Sequence, residues 1–151
     1  MNQLKENIQE IVQGIVEKNG YFLIDLIFRG SETNRVFEIF IDGENNITAE
    51  DCAKISREIN SILSEHELID FSYRLDVSSP GVERPLKFLK QFPKHLNRKF
   101  EVSFNQNEEI KKLTGKLLKV EGDFLLFLTK NGEEMVNFNN ILNAKVLISF
   151  S

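Results

Sequence analysis

The stretch Leu75-Asp-Val-Ser-Ser-Pro-Gly-Val-Glu-Arg-Pro-Leu86 divides the sequence into two parts of different character. It begins as the end of an alternating strand, Tyr73 to Ser78, whose Tyr73, Leu75 and Val77 share a face, and it breaks at Ser79-Pro80-Gly81 and again at Pro85. Proline fixes φ and removes an N–H donor, while glycine reaches backbone conformations closed to other residues, so a Pro-Gly pair after a strand turns the chain out of its sheet. Before the break the chain reads as helix, strand, strand, helix, strand. After it come a short helix and then short strands only. The reading predicts two domains, residues 1–84 and 85–151.

In the first part, Leu4, Ile8, Ile11, Val12, Ile15 and Val16 recur at helical spacing over Gln3 to Lys18, and Asn19-Gly20 supplies the stop. Tyr21 to Phe28 and Arg35 to Asp42 are rich in branched and aromatic residues and read as a hairpin joined by the polar Arg29-Gly-Ser-Glu-Thr-Asn34. Phe22, Ile24, Leu26 and Phe28 are expected to face the helices. Thr48 and Asp51 mark a second helix start, and Cys52, Ile55, Ile59, Ile62 and Leu63 form its apolar stripe. The expected fold is α+β: an α-β-β-α-β domain with a mixed three-stranded sheet and both helices on one face.

In the second part, a short helix is expected from Leu89 to Leu96, with Pro93 in its first turn. Five short strands follow, at Lys99 to Phe104, Leu113 to Val120, Phe124 to Thr129, Glu134 to Phe138 and Ala144 to Ile148. Gly122-Asp123 and Asn131-Gly132 are tight-turn signals, and only Asn105 to Lys112 reads as a longer connection. Short strands with short connections predict a small SH3-like β-barrel.

Composition limits what such a chain does. Its 151 residues are 41% hydrophobic, as in ordinary globular proteins, and no apolar run reaches the length of a membrane helix. The start of the sequence lacks the basic and apolar pattern of a secretory signal, and a single cysteine excludes an internal disulfide, so a cytoplasmic protein is expected. The net charge of −4 conceals a polarity. Residues 1–84 hold eight Lys/Arg against sixteen Asp/Glu, and residues 85–151 hold eleven against seven. Opposite fields attract different partners, so the two parts are expected to meet different surfaces.

Catalytic chemistry finds little support. Gly115-Lys116 is followed by Leu117 rather than Ser or Thr and has no glycine five residues before it, so it is not a phosphate loop. Cys52 shares a helical face with Ile55 and Ile59 and reads as a packed thiol. His66 reads as a solvated loop residue and His95 as a residue at the rim of the short helix. One cysteine and two histidines leave no zinc set. No catalytic residue, cofactor, metal or small-molecule substrate is expected, and the protein is read as a non-enzyme.

The basic residues point elsewhere. Arg84, Lys87, Lys90, Lys94, Arg98 and Lys99 occur with no Asp or Glu between them, and their spacing would set the first five on one side of a helical path that Pro85 and Pro93 keep from being one continuous helix. Lys111, Lys112, Lys116 and Lys119 add a second group. Such a surface can neutralise backbone phosphates without reading sequence. Phe124-Leu-Leu-Phe-Leu128 is apolar on both faces, either because its outer side is covered or because it presents a patch to a partner protein.

The Leu75 to Leu86 stretch resembles the hallmark of the bacterial ribosome maturation factor RimP family, a strand entering Ser-Ser-Pro-Gly followed by Arg-Pro-Leu. Ile41-Asp42, Ile47-Thr48, Asp51-Cys52, Ser56-Arg57 and Lys112-Leu-Thr-Gly115 fall in the order of that family. Val82 and Glu83 stand where the family commonly has Leu and Asp, and Asn97 where it often has Gly, an exchange tolerable in a left-handed backbone. The resemblance implies an SH3-like (Sm-like) second domain and a monomeric, non-catalytic factor that binds the free or immature small ribosomal subunit. The implied partners are ribosomal RNA and ribosomal protein twelve of the small subunit. Ser79, Pro80, Gly81 and Arg84 are then expected at the ribosome surface or the domain junction, with Lys87, Lys90, Lys94, Lys111, Lys112 and Lys116 as ribosome-contacting cations. The alternative is a general RNA-binding regulator built on a small barrel.

Overall fold

The computed structural model describes residues 2–31 and 33–148. Glu32, in the expected polar connection, lies outside them. Contacts divide the chain into two compact units that meet in sequence between Pro80 and Gly81.

Helix α1 (Asn2–Lys18) ends where the sequence says it must. Gly20 takes φ +85°, its N–H donates to Glu17 O at 2.9 Å, and the Tyr21 N–H donates to Val16 O at 3.1 Å, which closes the last turn in a Schellman motif. Strands β1 (Phe22–Ser31) and β2 (Asn34–Asp42) are antiparallel, and β3 (Tyr73–Ser78) pairs parallel to β2 after helix α2 (Ala49–Glu65), in the order β1-β2-β3. Thr48 caps α2 reciprocally: its hydroxyl accepts from the Asp51 N–H at 3.0 Å, and the Asp51 carboxylate accepts from the Thr48 N–H at 2.9 Å. Those bonds hold the Asp51 carboxyl below its usual range.

Ile8, Val12 and Val16 of α1 and Ile55, Ile59 and Leu63 of α2 pack on Phe37, Ile39 and Ile41 of β2 in one core. The mixed sheet and the shared helix face are therefore as expected. Strand β1 differs. A bulge between Leu23 and Asp25 inverts its alternation, so Tyr21, Leu23, Leu26 and Phe28 pack on this core while Phe22 and Ile24 do not. The hairpin is also tighter than its polar composition suggests, with pairing that runs to Ser31 opposite Asn34. Gly30 permits this: it takes φ +99°, and a Cβ there would stand 1.9 Å from Asn34 O.

In the second unit the expected Leu89 to Leu96 helix is instead two successive 3-10 turns, Leu89–Gln91 and Pro93–His95. Pro93 cannot donate into a preceding turn, so Phe92 ends one turn and begins the next. Strands β4 (Lys99–Gln106), β5 (Glu109–Glu121), β6 (Phe124–Thr129), β7 (Gly132–Asn137) and β8 (Ile141–Val146) form an antiparallel sheet in the order β7-β6-β5-β4-β8. The presumed long connection from Asn105 to Lys112 is mostly strand. Gln106 pairs with Glu109 across a two-residue turn in which Asn107 and Glu108 take φ +51° and +66°, the left-handed pair that matches hairpin twist. Bulges at Ser103/Phe104 and Leu117/Lys119 bend the sheet around Phe92, Phe100, Val102, Leu117, Leu125 and Phe127. What is seen of the expected barrel is thus a bent five-stranded sheet with β7 and β8 at the ends of its order.

Candidate nucleic-acid interface

The segment after the break is fixed by backbone bonds. The Arg84 N–H donates to Gly81 O at 3.0 Å, and the Leu86 N–H donates to Ala144 O at 2.8 Å, which fastens the chain to β8. Arg84 is half-buried between these two bonds; Ser79 and Gly81 are exposed and Pro80 is half-buried. The buried Gln91 side chain accepts from the N–H groups of Lys87 at 2.7 Å and Phe88 at 2.8 Å, satisfying two backbone donors that lie ahead of the first 3-10 turn. The Lys87 ammonium stands 5.6 Å from the Phe88 ring, Lys90 is exposed, and Lys94 is half-buried. With two short turns here, Arg84, Lys87, Lys90, Lys94 and Arg98 do not form a single helical row, in keeping with the two prolines that interrupt their path.

The strand cations separate by the two-residue period of a sheet. On β5, exposed Lys112, Thr114 and Lys116 alternate with buried Leu113, Gly115 and Leu117. Lys116 lies opposite Lys99 on β4 and opposite Leu128 on β6. Lys111 has the other parity and pairs with Glu109 at 3.1 Å, so it does not join Lys112 and Lys116. Lys119 likewise pairs with Glu121 at 3.1 Å.

Where Lys112 and Lys116 emerge, an open groove of about 860 Å³ is lined also by Arg98, Lys99 and Lys130. Its near wall depends on Asn97, which takes φ +71°, the left-handed conformation that makes Asn an acceptable replacement for Gly. The Asn97 N–H donates to Leu117 O at 2.7 Å and the Leu117 N–H to Arg98 O at 3.0 Å, carrying the β4–β5 pairing back to Arg98. On the far side, the Thr129 hydroxyl donates to Gly132 O at 2.9 Å and accepts from the Asn131 N–H at 3.1 Å, fixing the turn that carries Lys130. Sequence reasoning overlooked Lys130. Its only local signal is a lysine in the turn Thr129-Lys-Asn-Gly132, and register alone brings it beside Lys116.

Cys52 is half-buried against the first core, and burial raises its thiol pKa. Cys52→Ala is expected to cost no more than ~1–2 kcal/mol, read by urea unfolding, and to leave partner binding unchanged. His66 is exposed at the end of α2, and His95 meets the Phe100 ring edge-on, 6.2 Å between centroids. Among the described residues, no cluster of His, Cys, Asp and Glu is arranged to hold a metal, and no helix is long and apolar enough to cross a membrane. On β6 the outer residues Phe124 and Leu128 are 45% and 44% exposed, so the outer side of that strand is not covered at its ends.

Residues 11–83 match the RimP N-terminal domain. This N-terminal part of the chain belongs to the RimP family. The match spans the C-terminal half of α1, both hairpin strands, α2 and β3, and ends at Glu83, inside the stretch whose Ser-Ser-Pro-Gly carried the resemblance. RimP membership places the chain among ribosome maturation factors in general.

Proposed function

We propose that this RimP chain assists maturation of the small ribosomal subunit by binding its free or immature form, without catalysis. The observation that carries the reading is the RimP N-terminal domain over residues 11–83, borne on a part of the chain with eight basic against sixteen acidic residues. The acidic domain suits a basic ribosomal protein, with protein twelve of the small subunit as its partner. The second domain, taken as an SH3-like barrel, turns its cations to ribosomal RNA, which supplies the opposite charge. A monomer in the cytoplasm meets the needs of this role.

Arg84 stands in the family stretch with its backbone held by the bond to Gly81 O and, two residues on, by the bond of Leu86 to Ala144 O. Disruption of the gene in its source bacterium is expected to accumulate precursor small-subunit RNA and free large subunits. Wild-type protein should restore the profile, and Arg84→Glu should restore it poorly while keeping wild-type thermal stability. Normal subunit profiles after disruption, with altered messenger or small-RNA levels, would instead identify a general RNA-binding regulator.

A further inference from the structure

We propose that the groove on the second unit holds the backbone of an unpaired RNA strand, with Lys112, Lys116 and Lys130 contacting its phosphates. The proposal deepens the functional reading and rests on it only for the source of the strand.

Charge is the first argument. Arg98, Lys99, Lys112, Lys116 and Lys130 line one open groove whose lining includes a single carboxylate, Glu134. Like charges gathered on one surface repel, and a bound polyanion offsets that repulsion. The lysines of β5 differ in this respect. Lys111 and Lys119 are neutralised by Glu109 and Glu121, whereas among the described residues Lys99, Lys112, Lys116 and Lys130 form no ion pair. The groove therefore gathers four lysines that the fold leaves without an ion pair.

Shape and chemistry select the anion. Four of the five cations are lysines, point charges without the planar fork that grips a carboxylate at two oxygens, so phosphates suit them better than an acidic peptide does. Leu128 and Ile148, 44% and 54% exposed, give the same groove apolar surface. An unpaired strand has phosphates for the lysines and free ribose and base faces for the apolar residues. A duplex hides its base faces and presents a convex surface to a concave site. Among the described residues no aromatic side chain lines the groove, and its cations reach phosphates rather than base edges, so binding is sequence-blind.

The groove is also built in advance. A Cβ at Gly115 would lie 2.8 Å from Leu128 O and 3.1 Å from the Thr129 methyl, so the close approach of β5 and β6 at this point requires glycine. That approach sets Lys116 beside Leu128 and brings the Lys130 turn to the same edge.

The test uses the full chain and a fluorescein-labelled twelve-nucleotide oligouridine, with anisotropy titrations repeated over a range of salt. Each phosphate contact to a single strand contributes about 0.7 to the slope of log K against log salt. Replacing Lys112, Lys116 and Lys130 together by Gln is expected to reduce the slope by about 2. Replacing the ion-paired Lys111 and Lys119 by Gln should leave it within one contact of wild type. Four results would overturn the proposal: no binding by the wild-type chain at low salt, an unchanged slope in the triple variant, equal affinity for a blunt RNA duplex, or equally effective displacement by oligoglutamate. The functional reading fails separately. A chain that grips oligouridine through these lysines but ignores small subunits keeps the groove and loses the function; small-subunit binding with a triple variant of wild-type slope does the reverse.

Discussion

Phe92→Ala is expected to cost the second unit about 3–5 kcal/mol, the range for emptying a buried aromatic site. The ring is fully buried, stacks on Phe100 at 5.6 Å between centroids and 13° between planes, and meets Phe138 edge-on at 5.8 Å. No neighbour fills the space cheaply, because Phe100 and Phe138 are held in β4 and the turn after β7. For a domain of this size the loss corresponds to a fall in melting temperature of more than about 12 °C. Phe92 also joins the two 3-10 turns that carry Lys90 and Lys94, so the variant should lose the geometry of this basic segment as well. Unfolding followed by circular dichroism measures the effect. The fluorescence of Tyr21 and Tyr73, both in the first unit, gives a reference transition, since the sequence has no other tyrosine and no tryptophan. A loss below about 1 kcal/mol would show that Phe92 is not the centre of this core.

Gly115→Val should destabilise by roughly 2–3 kcal/mol for the opposite reason, overpacking. The added atoms would press on the Leu128 carbonyl, which is backbone and cannot swing aside, so β5 and β6 must part. The ladder from Lys116–Leu128 to Glu121–Phe124 carries that strain into the hairpin. The same displacement moves Lys116 away from Lys130, so RNA affinity should fall even at temperatures where the variant is folded. Wild-type stability together with wild-type oligouridine binding would mean that the close approach is dispensable.

Much of this fold is legible locally. The Asn19-Gly20 stop, the Thr48–Asp51 capping box and the alternation of Tyr73, Leu75 and Val77 each depend on a few adjacent residues, and each element forms where those residues place it. The differences arise where one residue changes the period or where distant segments meet. One inserted residue near Ile24 reverses which side of β1 faces the helices before the bulge and leaves Leu26 and Phe28 as expected, and alternation cannot reveal that because Phe22, Leu23 and Ile24 are apolar in both registers. Asn107-Glu108 carries no glycine, so its left-handed hairpin turn reads as loop. The short helix expected from Leu89 to Leu96 is instead divided into two turns at Pro93, and the buried Gln91 side chain satisfies the N–H groups ahead of the first.

The candidate interface was legible in part for the same reason. Ser79, Pro80, Gly81 and Arg84 stand out as a contiguous stretch, and the excess of cations after Leu86 is visible in composition. Which lysines act together is a matter of register. Lys112 and Lys116 share a face because they are four apart on a strand, Lys111 lies on the other face and pairs with Glu109, and Lys130 arrives from a different hairpin.

The central claim is that this RimP chain recognises the small subunit before it enters complete ribosomes, and co-sedimentation tests it most directly. Purified chain is centrifuged through sucrose gradients with free small subunits, with large subunits and with complete ribosomes at the same molar ratio. The account predicts that the chain travels with free small subunits at low salt, is released as salt rises, and stays at the top of the gradient with the other two particles. A chain that remains at the top with free small subunits, or that distributes equally among all three particles, would contradict it.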